Sequence, residues 1–301
     1  MLVLISIIGP VLRGGFNFGI EFTGGSEFVV SNSATTDQSL AVGAVQSVEP
    51  NMVPKVSLLG QSAIRVQTGQ LTADQSRDVR VSLAKAYAVP VESVASSFIG
   101  ASWGQDVTQQ AIRGLLVFLL LAALVMTIYF RTWKMSLVAI VALIHDLVIT
   151  AGIYGITGFE VTPGAVIGLL TILGYSLYDT VVVFDKIREN TMGSSRQSGL
   201  TFAGQVNLAV NQTLVRSINT SVVAALPVAS ILFIGAFVLG AGTLRDISLA
   251  LLLGIIVGTY STIFLATPMY AQLREREPAI SKADKKIKAS QPSKTAEVVP
   301  A

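Results

Sequence analysis

Hydrophobic residues group into long runs over the part of the chain that follows residue 112. An α-helix needs about 20 apolar residues to cross a bilayer, so runs of this length are typical of membrane-spanning helices. The pattern therefore predicts a polytopic α-helical membrane protein. The predicted spans are 114–130, 135–157, 165–186, 214–239 and 247–268, with a surface helix at 200–211 before the fourth of these.

The chain also begins with an apolar run, residues 2–12, whose 11 residues are too few to span a bilayer. This run has neither the basic start nor the small-residue cleavage site of a signal peptide. We predict that residues 1–13 are the outer half of a first transmembrane helix that starts before this chain, which makes six transmembrane helices with the first truncated. A re-entrant or surface segment is the alternative.

Residues 14–112 form the one polar segment that is long enough to be a domain. Its first part, 16–25, alternates between apolar and polar residues and ends in Gly-Gly, which is typical of a half-buried strand and a turn. Thr72 and Gln75 have the spacing of a capping box, which predicts that a helix starts there and runs to about Tyr87. The other predicted elements are strands at 27–31, 55–59, 63–68 and 94–99 and a helix at 37–48. The resulting β-α-β-β-α-β order is the ferredoxin-like α+β arrangement.

Composition excludes several kinds of chemistry. The chain has no cysteine, which excludes disulfides, thiolate metal sites and a cysteine nucleophile, and its single histidine disfavours a zinc site. The polar segment has no nucleotide-binding loop and no nucleophile with a base. We therefore expect no cofactor, no metal and no enzymatic activity, and a binding or mechanical role for this domain. The net charge of +3 is too small to indicate nucleic-acid binding.

Basic residues cluster in alternate loops, and the positive-inside rule assigns such loops to the cytoplasm. This orientation puts residues 14–112 outside the cytoplasm and both termini inside, with the remaining spans in residues 113–270. The tail 271–301 is polar and is predicted to be disordered past Ser281. The basic segments are 131–134, 186–216 and the tail, whereas the loops 158–163 and 240–246 hold only Arg245.

Asp179 lies inside a predicted span, roughly 10 Å from its cytoplasmic end. A carboxylate in hydrocarbon costs about 2.5–3.5 kcal/mol, and such residues by default mark functional sites that face the bundle interior. Steps of four place Thr171, Tyr175 and Asp179 on one helix face, so the acid ends a polar stripe. The alternative is a purely structural hydrogen bond between helices.

A second polar stripe occurs in the preceding span. Asp146, Thr150 and Tyr154 share a helix face, and Asp146 is about 18 Å from the cytoplasmic end and therefore near mid-bilayer. His145 stands beside Asp146 and is a candidate member of a proton relay. A lone histidine beside an acid is also typical of a structural hydrogen bond.

Arg216 opens the next predicted span, together with Asn219 and Thr220. Its long side chain can reach inward, so an ion pair with Asp179 is feasible in depth, whereas snorkelling to lipid headgroups explains many such arginines. A carboxylate that loads and releases a proton suits a relay. Burial disfavours the ionised form and a nearby arginine favours it, so movement of Arg216 would switch the proton affinity of the carboxylate.

Four segments resemble the SecF family, the smaller half of the bacterial SecD–SecF protein-export complex and a branch of the resistance-nodulation-division superfamily. The segments are FNFGIEFTGG at 16–25, IHDLVITAG at 144–152, VTPGAVIGLLTILGYSLYDTVVVFDKIREN at 161–190 and NQTLVRSINTS at 211–221. The Gly-Tyr-Ser-x-x-Asp-Thr-Val-Val-Val-Phe-Asp order separates this chain from other transporters of that superfamily. The resemblance covers roughly residues 1–270.

The resemblance implies an auxiliary translocase subunit in the bacterial plasma membrane that uses the proton motive force to assist export. The implied partners are SecD, the SecYEG channel, the translocating preprotein and, indirectly, SecA. The family's proton-relay acid corresponds to Asp179 and its essential arginine to Arg216, while Asp146 matches a further family position. Two other functions remain open: a proton-driven exporter of drugs or lipids built on the same six-helix unit, and a structural scaffold whose acids bond helices together.

Overall fold

The computed structural model describes residues 1–60, 62–192, 199–238 and 241–290. The predicted loop at 193–199 lies almost entirely outside these residues, as do the tail from 291 and parts of the turns at 60–61 and 240–246. The helices are α1 Leu2–Leu12, α2 Ile20–Thr23, α3 Gln38–Gln46, α4 Ala73–Ala86, α5 Ala101–Phe130, α6 Trp133–Thr157, α7 Pro163–Thr191, α8 Phe202–Phe233, α9 Gly242–Ser261, α10 Thr267–Glu275 and α11 Pro278–Ser290. The strands are β1 Asn17–Phe18, β2 Gly25–Val30, β3 Lys55–Leu59, β4 Ala63–Thr68, β5 Val94–Ile99 and β6 Glu160–Val161.

The chain folds as two compact units. The first comprises residues 1–120, 147–174 and 222–255, and the second comprises residues 121–146, 175–221 and the chain from 256 onward.

An α+β domain, residues 17–99, belongs to the first unit. Its four strands form an antiparallel sheet in the order β3-β4-β2-β5, and β2 pairs with both β4 and β5. Alternation along the two central strands directs Phe28, Val30, Ile64 and Val66 into a core that α3 and α4 cover. The remaining residues of these strands, which include Glu27 and Arg65, therefore lie on the opposite, polar face of the sheet.

The capping box at Thr72 and Gln75 is confirmed. The Thr72 hydroxyl accepts a hydrogen bond from the Gln75 amide, and the Gln75 side chain accepts one from the Thr72 amide. Two main-chain N–H groups that have no partner within the helix are therefore hydrogen-bonded at the start of α4. Asp37 likewise caps α3 by accepting from the Ser39 amide. The three strands predicted at 55–59, 63–68 and 94–99 have these bounds in the structure.

The segment 16–25 differs from its prediction. Only Asn17 and Phe18 form a strand, which pairs in parallel with Glu160 and Val161, and one helical turn follows at Ile20–Thr23. The alternation of apolar residues therefore did not mark one continuous strand. Gly24 and Gly25 both have positive φ angles, which end the turn and start β2.

Five helices of the described chain are long and apolar enough to cross a membrane: Ser102–Phe130, Trp133–Thr157, Pro163–Thr191, Phe202–Phe233 and Gly242–Glu275. The chain is thus a polytopic membrane protein, and the apolar helix α1 is shorter than these five. The predicted surface helix at 200–211 is not a separate element. It is the first part of α8, because no glycine or proline interrupts the chain between Gly204 and Pro227.

Close helix approaches in the first unit depend on glycine. A Cβ atom built on Gly168 of α7 would lie 2.7 Å from the Cβ of Ala250 and 2.8 Å from the carbonyl oxygen of Ile247, both in α9. A Cβ atom built on Gly152 of α6 would likewise be too close to Ser6 of α1. Any larger residue at these positions would force the helices apart.

The tail is ordered further than its sequence predicts. In place of disorder past Ser281, the second unit contains α11, whose Ile280 is buried in a core with Phe130, Phe184 and Tyr270. Asp284 accepts a 2.9 Å hydrogen bond from the Phe202 amide and so caps the start of α8. This segment is rich in lysine, but Ile280 and Asp284 lie four positions apart and therefore on one face of the helix. That face packs against the rest of the second unit.

Candidate functional site

Asp179 of α7 is buried in the second unit, with 6% of its surface exposed. Its Oδ1 accepts a 2.7 Å hydrogen bond from the hydroxyl of Ser217 in α8, which is also buried. Its Oδ2 is buried without a hydrogen-bond partner among the described residues. The carboxylate thus has the buried Ser217 donor on Oδ1, with the Thr262 hydroxyl also close to it, and Oδ2 is the oxygen at which a proton could reside.

A set of hydroxyl contacts, here termed the hydroxyl ladder, joins α7 to α8 and to the segment 259–262 in the same unit as Asp179. The Tyr175 hydroxyl contacts that of Ser221 at 3.4 Å, and Ser221 contacts Thr259 at 2.6 Å. Thr180 contacts Thr262 at 3.1 Å, and Thr262 is also a neighbour of Asp179. Thr262 opens a π-helical turn, Thr262–Ala266, and such turns within helices often occur at functional sites.

Asp146 forms a second buried acid in the same unit. Its Oδ2 accepts a 2.5 Å hydrogen bond from Ser176, and its Oδ1 lies 3.2 Å from Nδ1 of His145. Gly258 of α9 lies over this pair, since a Cβ atom built there would be 3.1 Å from the Ser176 hydroxyl oxygen. The structure therefore brings His145 to Asp146, as the adjacent sequence positions allow, and adds Ser176, which the sequence analysis did not select.

Arg216 does not form an ion pair with Asp179 within 4 Å in the described part of the chain. Its side chain is exposed, and Nη2 lies 3.5 Å from the hydroxyl of Tyr178, the residue before Asp179. The arginine is thus near the acid but separate from it in this conformation.

The remaining stripe residues have mixed environments. Thr171 and Thr220 donate their hydroxyls to carbonyls of their own helices, at 2.7 Å and 2.8 Å, and Asn219 is exposed. Thr150 is buried, and the Tyr154 hydroxyl donates to the main-chain oxygen of Asp246 at 3.3 Å. Only Tyr175 of this set joins the hydroxyl ladder around Asp179.

Asp246, which the sequence analysis did not select, is 5% exposed near the start of α9. It accepts a 2.9 Å hydrogen bond from Thr162 and pairs with Arg245 at 3.1 Å. A signal was present, because an acid within an apolar run marks a candidate site. Its position in a short turn with Arg245 concealed that signal.

A second missed group surrounds Arg65 on the polar face of the sheet. Arg65 pairs with Glu27 of β2 at 3.4 Å and with Glu160 of β6 at 3.6 Å, and all three side chains are at least four-fifths buried. Glu21 is the third carboxylate of the group. Burial, followed by the charges of Glu160 and Glu27, raises the pKa of Glu21 above its usual value. No local sequence pattern links these four positions.

Nothing in the described ranges assembles three or more histidine, cysteine or carboxylate side chains in a way that could hold a metal ion. The chemistry that these residues can perform is the transfer and storage of protons on carboxylates and hydroxyls.

A family model described as "Protein export membrane protein SecD/SecF, C-terminal" matches residues 79–276, and a second, "SecD/SecF GG Motif", matches residues 14–31. The chain belongs to the SecD/SecF family. Within that family, it is 46% identical over 289 residues to the "Protein translocase subunit SecF" of Streptomyces coelicolor, covering 95% of this chain and 76% of the relative. It is 41% identical over 300 residues to the SecF of Mycobacterium tuberculosis H37Rv, covering 95% of this chain and 66% of that relative.

A solved member of the SecD/SecF family has a similar fold. The crystal structure of SecDF from Thermus thermophilus, titled a translocon-associated membrane protein, superimposes with a TM-score of 0.76 at 29% identity. The match covers 91% of this chain and 37% of the SecDF chain. A structure of SecDF in a super-membrane-facing form matches with a TM-score of 0.65, covering 94% of this chain and 38% of that one.

Proposed function

We propose that this chain is a SecF-type subunit of the Sec preprotein translocase, which works with SecD and uses the proton motive force to assist protein export. Family membership supports the translocase role. The observation that supports proton use is the buried carboxylate of Asp179, which has one serine donor and one unpartnered oxygen. An acid in this setting can hold a proton and release it when its surroundings change.

In the proposed mechanism, Arg216 controls the charge of Asp179. When the guanidinium lies close to the carboxylate, the ionised form is favoured, and when it lies away, the protonated form is favoured. The present conformation, with Arg216 on the Tyr178 hydroxyl, corresponds to the separated arrangement. Ser217 and the hydroxyl ladder through Tyr175 supply the polar groups along which a proton can reach the acid.

The energy available suits a conformational cycle of this kind. One proton that crosses a membrane potential of 100 mV releases about 2.3 kcal/mol. A change between two conformations that differ by a few kcal/mol can therefore be driven by one or two protons. Asp146, with Ser176 and His145, would be a second proton-holding position in the relay.

The proposal also covers the arrangement of the protein in the membrane. We infer that the α+β domain is ferredoxin-like, that residues 14–112 lie outside the cytoplasm, and that residues 1–13 belong to a further span. The C-terminal segment is then cytoplasmic, and the protein lies in the bacterial plasma membrane. The SecDF relative carries its SecF-like part within a longer chain, of which this chain covers 37%, which supports SecD as the partner. SecYEG, SecA indirectly and the emerging preprotein complete the set of proposed partners.

The experiment is proton-dependent export into inverted membrane vesicles that contain the variant chain with its SecD partner. Asp179→Asn should assemble normally and abolish the part of export that depends on the proton gradient. Asp185→Asn is the matched control, because this acid is on the same helix but exposed. Undiminished gradient-dependent export in Asp179→Asn would show that this residue is not the relay acid.

A further inference from the structure

The four residues Glu21, Glu27, Arg65 and Glu160, here termed the Arg65 cluster, connect the α+β domain to the loop that precedes α7. Glu27 and Arg65 are diagonal neighbours on the polar face of the sheet, because Glu27 pairs with Gln67 and Val29 pairs with Arg65 across β2 and β4. Glu160 belongs to the loop between α6 and α7. One guanidinium thus contacts carboxylates from two separate parts of the first unit.

Main-chain bonds lie beside this ionic contact. Asn17 and Phe18 pair with Glu160 and Val161, and the Gly19 amide donates to the Val161 oxygen at 3.0 Å. These few bonds are the kind that open easily, since two-residue ladders bury little surface. The ion pair of Arg65 with Glu160 adds a side-chain contact to this short ladder.

Two carboxylate oxygens in the cluster converge on one place. Oε2 of Glu21 and Oε1 of Glu160 are both buried without hydrogen-bond partners among the described residues. Both face Gly19, because a Cβ atom built there would lie 3.3 Å from the Glu160 oxygen and still closer to the Glu21 oxygen. Two ionised carboxylates so placed repel each other, whereas one bound proton removes the repulsion.

The cluster has three carboxylates and one guanidinium, so Arg65 cannot neutralise it when all are ionised. The charged groups that act on Glu21 are Glu160 and Glu27, which raise its pKa, and Arg65, which lowers it. Burial is the largest cause and also raises the pKa, so the net direction is upward.

We propose that Arg65 is a positioning residue that holds the α6–α7 loop against the sheet, and that a proton on Glu21, which faces Glu160 at Gly19, tightens this joint. The inference rests on the proposed function, since the proposed orientation puts the joint on the side from which protons enter. The loop leads directly into α7, the helix that carries Asp179. Outer acidity would thus fix the start of α7 to the α+β domain.

The sign of the pH dependence follows from the raised pKa of Glu21. The joined state holds the proton more firmly than a state in which the loop has separated and Glu21 has its usual pKa. The joint is therefore most stable below the usual glutamate value and loosens as the pH rises through the raised value.

Hydrogen–deuterium exchange of the reconstituted full-length chain measures the joint directly. In Arg65→Gln, amides at 17–19 and 158–162 should exchange at least about tenfold faster, because a charge-assisted contact is lost. Amides of β2 and β4 serve as the internal control for an intact sheet. The double variant Arg65→Glu/Glu160→Arg, in which the two charges are swapped, should regain the protection of these amides that each single substitution loses. Unchanged exchange in Arg65→Gln, or no recovery in the double variant, would contradict the proposal that Arg65 holds the loop against the sheet.

The pH response separates a proton-sensitive joint from a merely structural contact. After correction for the intrinsic pH dependence of exchange, protection at 158–162 in the wild-type chain should fall as the pH rises through the raised pKa of Glu21. Glu21→Gln, which mimics the protonated acid, should keep the acidic-pH protection throughout, while the exposed Glu92→Gln should behave as wild type. A wild-type response in Glu21→Gln would overturn the proton-binding part.

Export provides the functional readout. Arg65→Gln that loses the joint yet retains full gradient-dependent export would overturn the positioning role. The exchange measurements require no export activity. They therefore test the joint at Arg65 independently of the export assay that tests Asp179 as the relay acid.

Discussion

Ser217 donates a 2.7 Å hydrogen bond to Oδ1 of Asp179, and the two side chains are 1% and 6% exposed. This bond joins α8 to α7 at the acid that the proposed function uses. A serine hydroxyl can donate to a carboxylate and also accept from a protonated carboxyl, so the contact can persist in both charge states. Ser217 is therefore suited to hold the acid in place while its charge changes.

Ser217→Ala removes this donor and leaves Oδ1 of a buried carboxylate without its hydrogen bond. We expect a loss of about 1–3 kcal/mol in the free energy of unfolding, since an unsatisfied buried group costs this much. Gradient-dependent export should fall as well. Thermal unfolding in detergent or nanodiscs measures the first effect. Ser230→Ala, at an exposed serine of α8 that bonds only its own helix, is the control and should change neither quantity.

Arg216→Lys keeps the positive charge and loses the planar guanidinium with its several donors. If the arginine acts on Asp179 through charge and geometry together, gradient-dependent export should be reduced severalfold but not abolished, and Arg216→Gln should abolish it. Tyr178→Phe tests the 3.5 Å contact seen here and should have a small effect. Full activity of Arg216→Gln would indicate that the side chain only reaches toward lipid headgroups.

Two glycines of α7 should respond oppositely to the same substitution. Gly168→Ala puts a methyl group 2.7 Å from the Cβ of Ala250, so α7 and α9 must separate, and we expect a loss of about 1–3 kcal/mol. Gly174→Ala meets nothing within 4 Å and should be neutral or add about 0.5–1 kcal/mol through lower backbone entropy. Thermal unfolding of the two variants side by side checks the prediction. Equal effects would mean that the helices do not approach closely at Gly168.

Thr72→Ala breaks the capping box at the start of α4. The expected loss is about 0.5–2 kcal/mol, because the Gln75 amide at the helix start loses the hydroxyl that accepts from it. Hydrogen exchange of the first turn of α4 should be faster, while that of the membrane helices should not change. Thr72→Ser retains the hydroxyl and should behave almost as wild type, so a similar loss in that variant would point to the methyl group instead of the cap.

The elements that were predicted correctly are those that depend on nearby residues. The strands at 55–59, 63–68 and 94–99 and the cap at Thr72 follow from local sequence patterns, which the fold does not alter. The apolar spans follow from their length. The end points of the spans were less well predicted, because α5 and α8 extend as helices well before their apolar runs begin.

The relations that sequence reasoning missed join distant positions. Arg65 and Glu160 are 95 positions apart, and only the pairing of β1 with β6 brings their parts of the chain together. Glu21 is one of the polar positions in the alternating segment 16–25 that was predicted to be a strand, whereas the structure has it in a helical turn next to Glu160. Ser217 and Ser176 gave no signal, because a serine within a span is common and gains meaning only from the acid that it contacts.

The contact between Asp284 and the Phe202 amide has a practical consequence for work on this protein. The last helix completes the beginning of α8, so shortening the chain after Glu277 would strip that helix of its cap and uncover the aromatic cluster beneath Ile280. Affinity tags should accordingly be added behind Ser290 and should not replace the segment before it. Trypsin sensitivity at Lys282 and Lys285 then offers a simple gauge of whether purified material has kept its C-terminal helix docked.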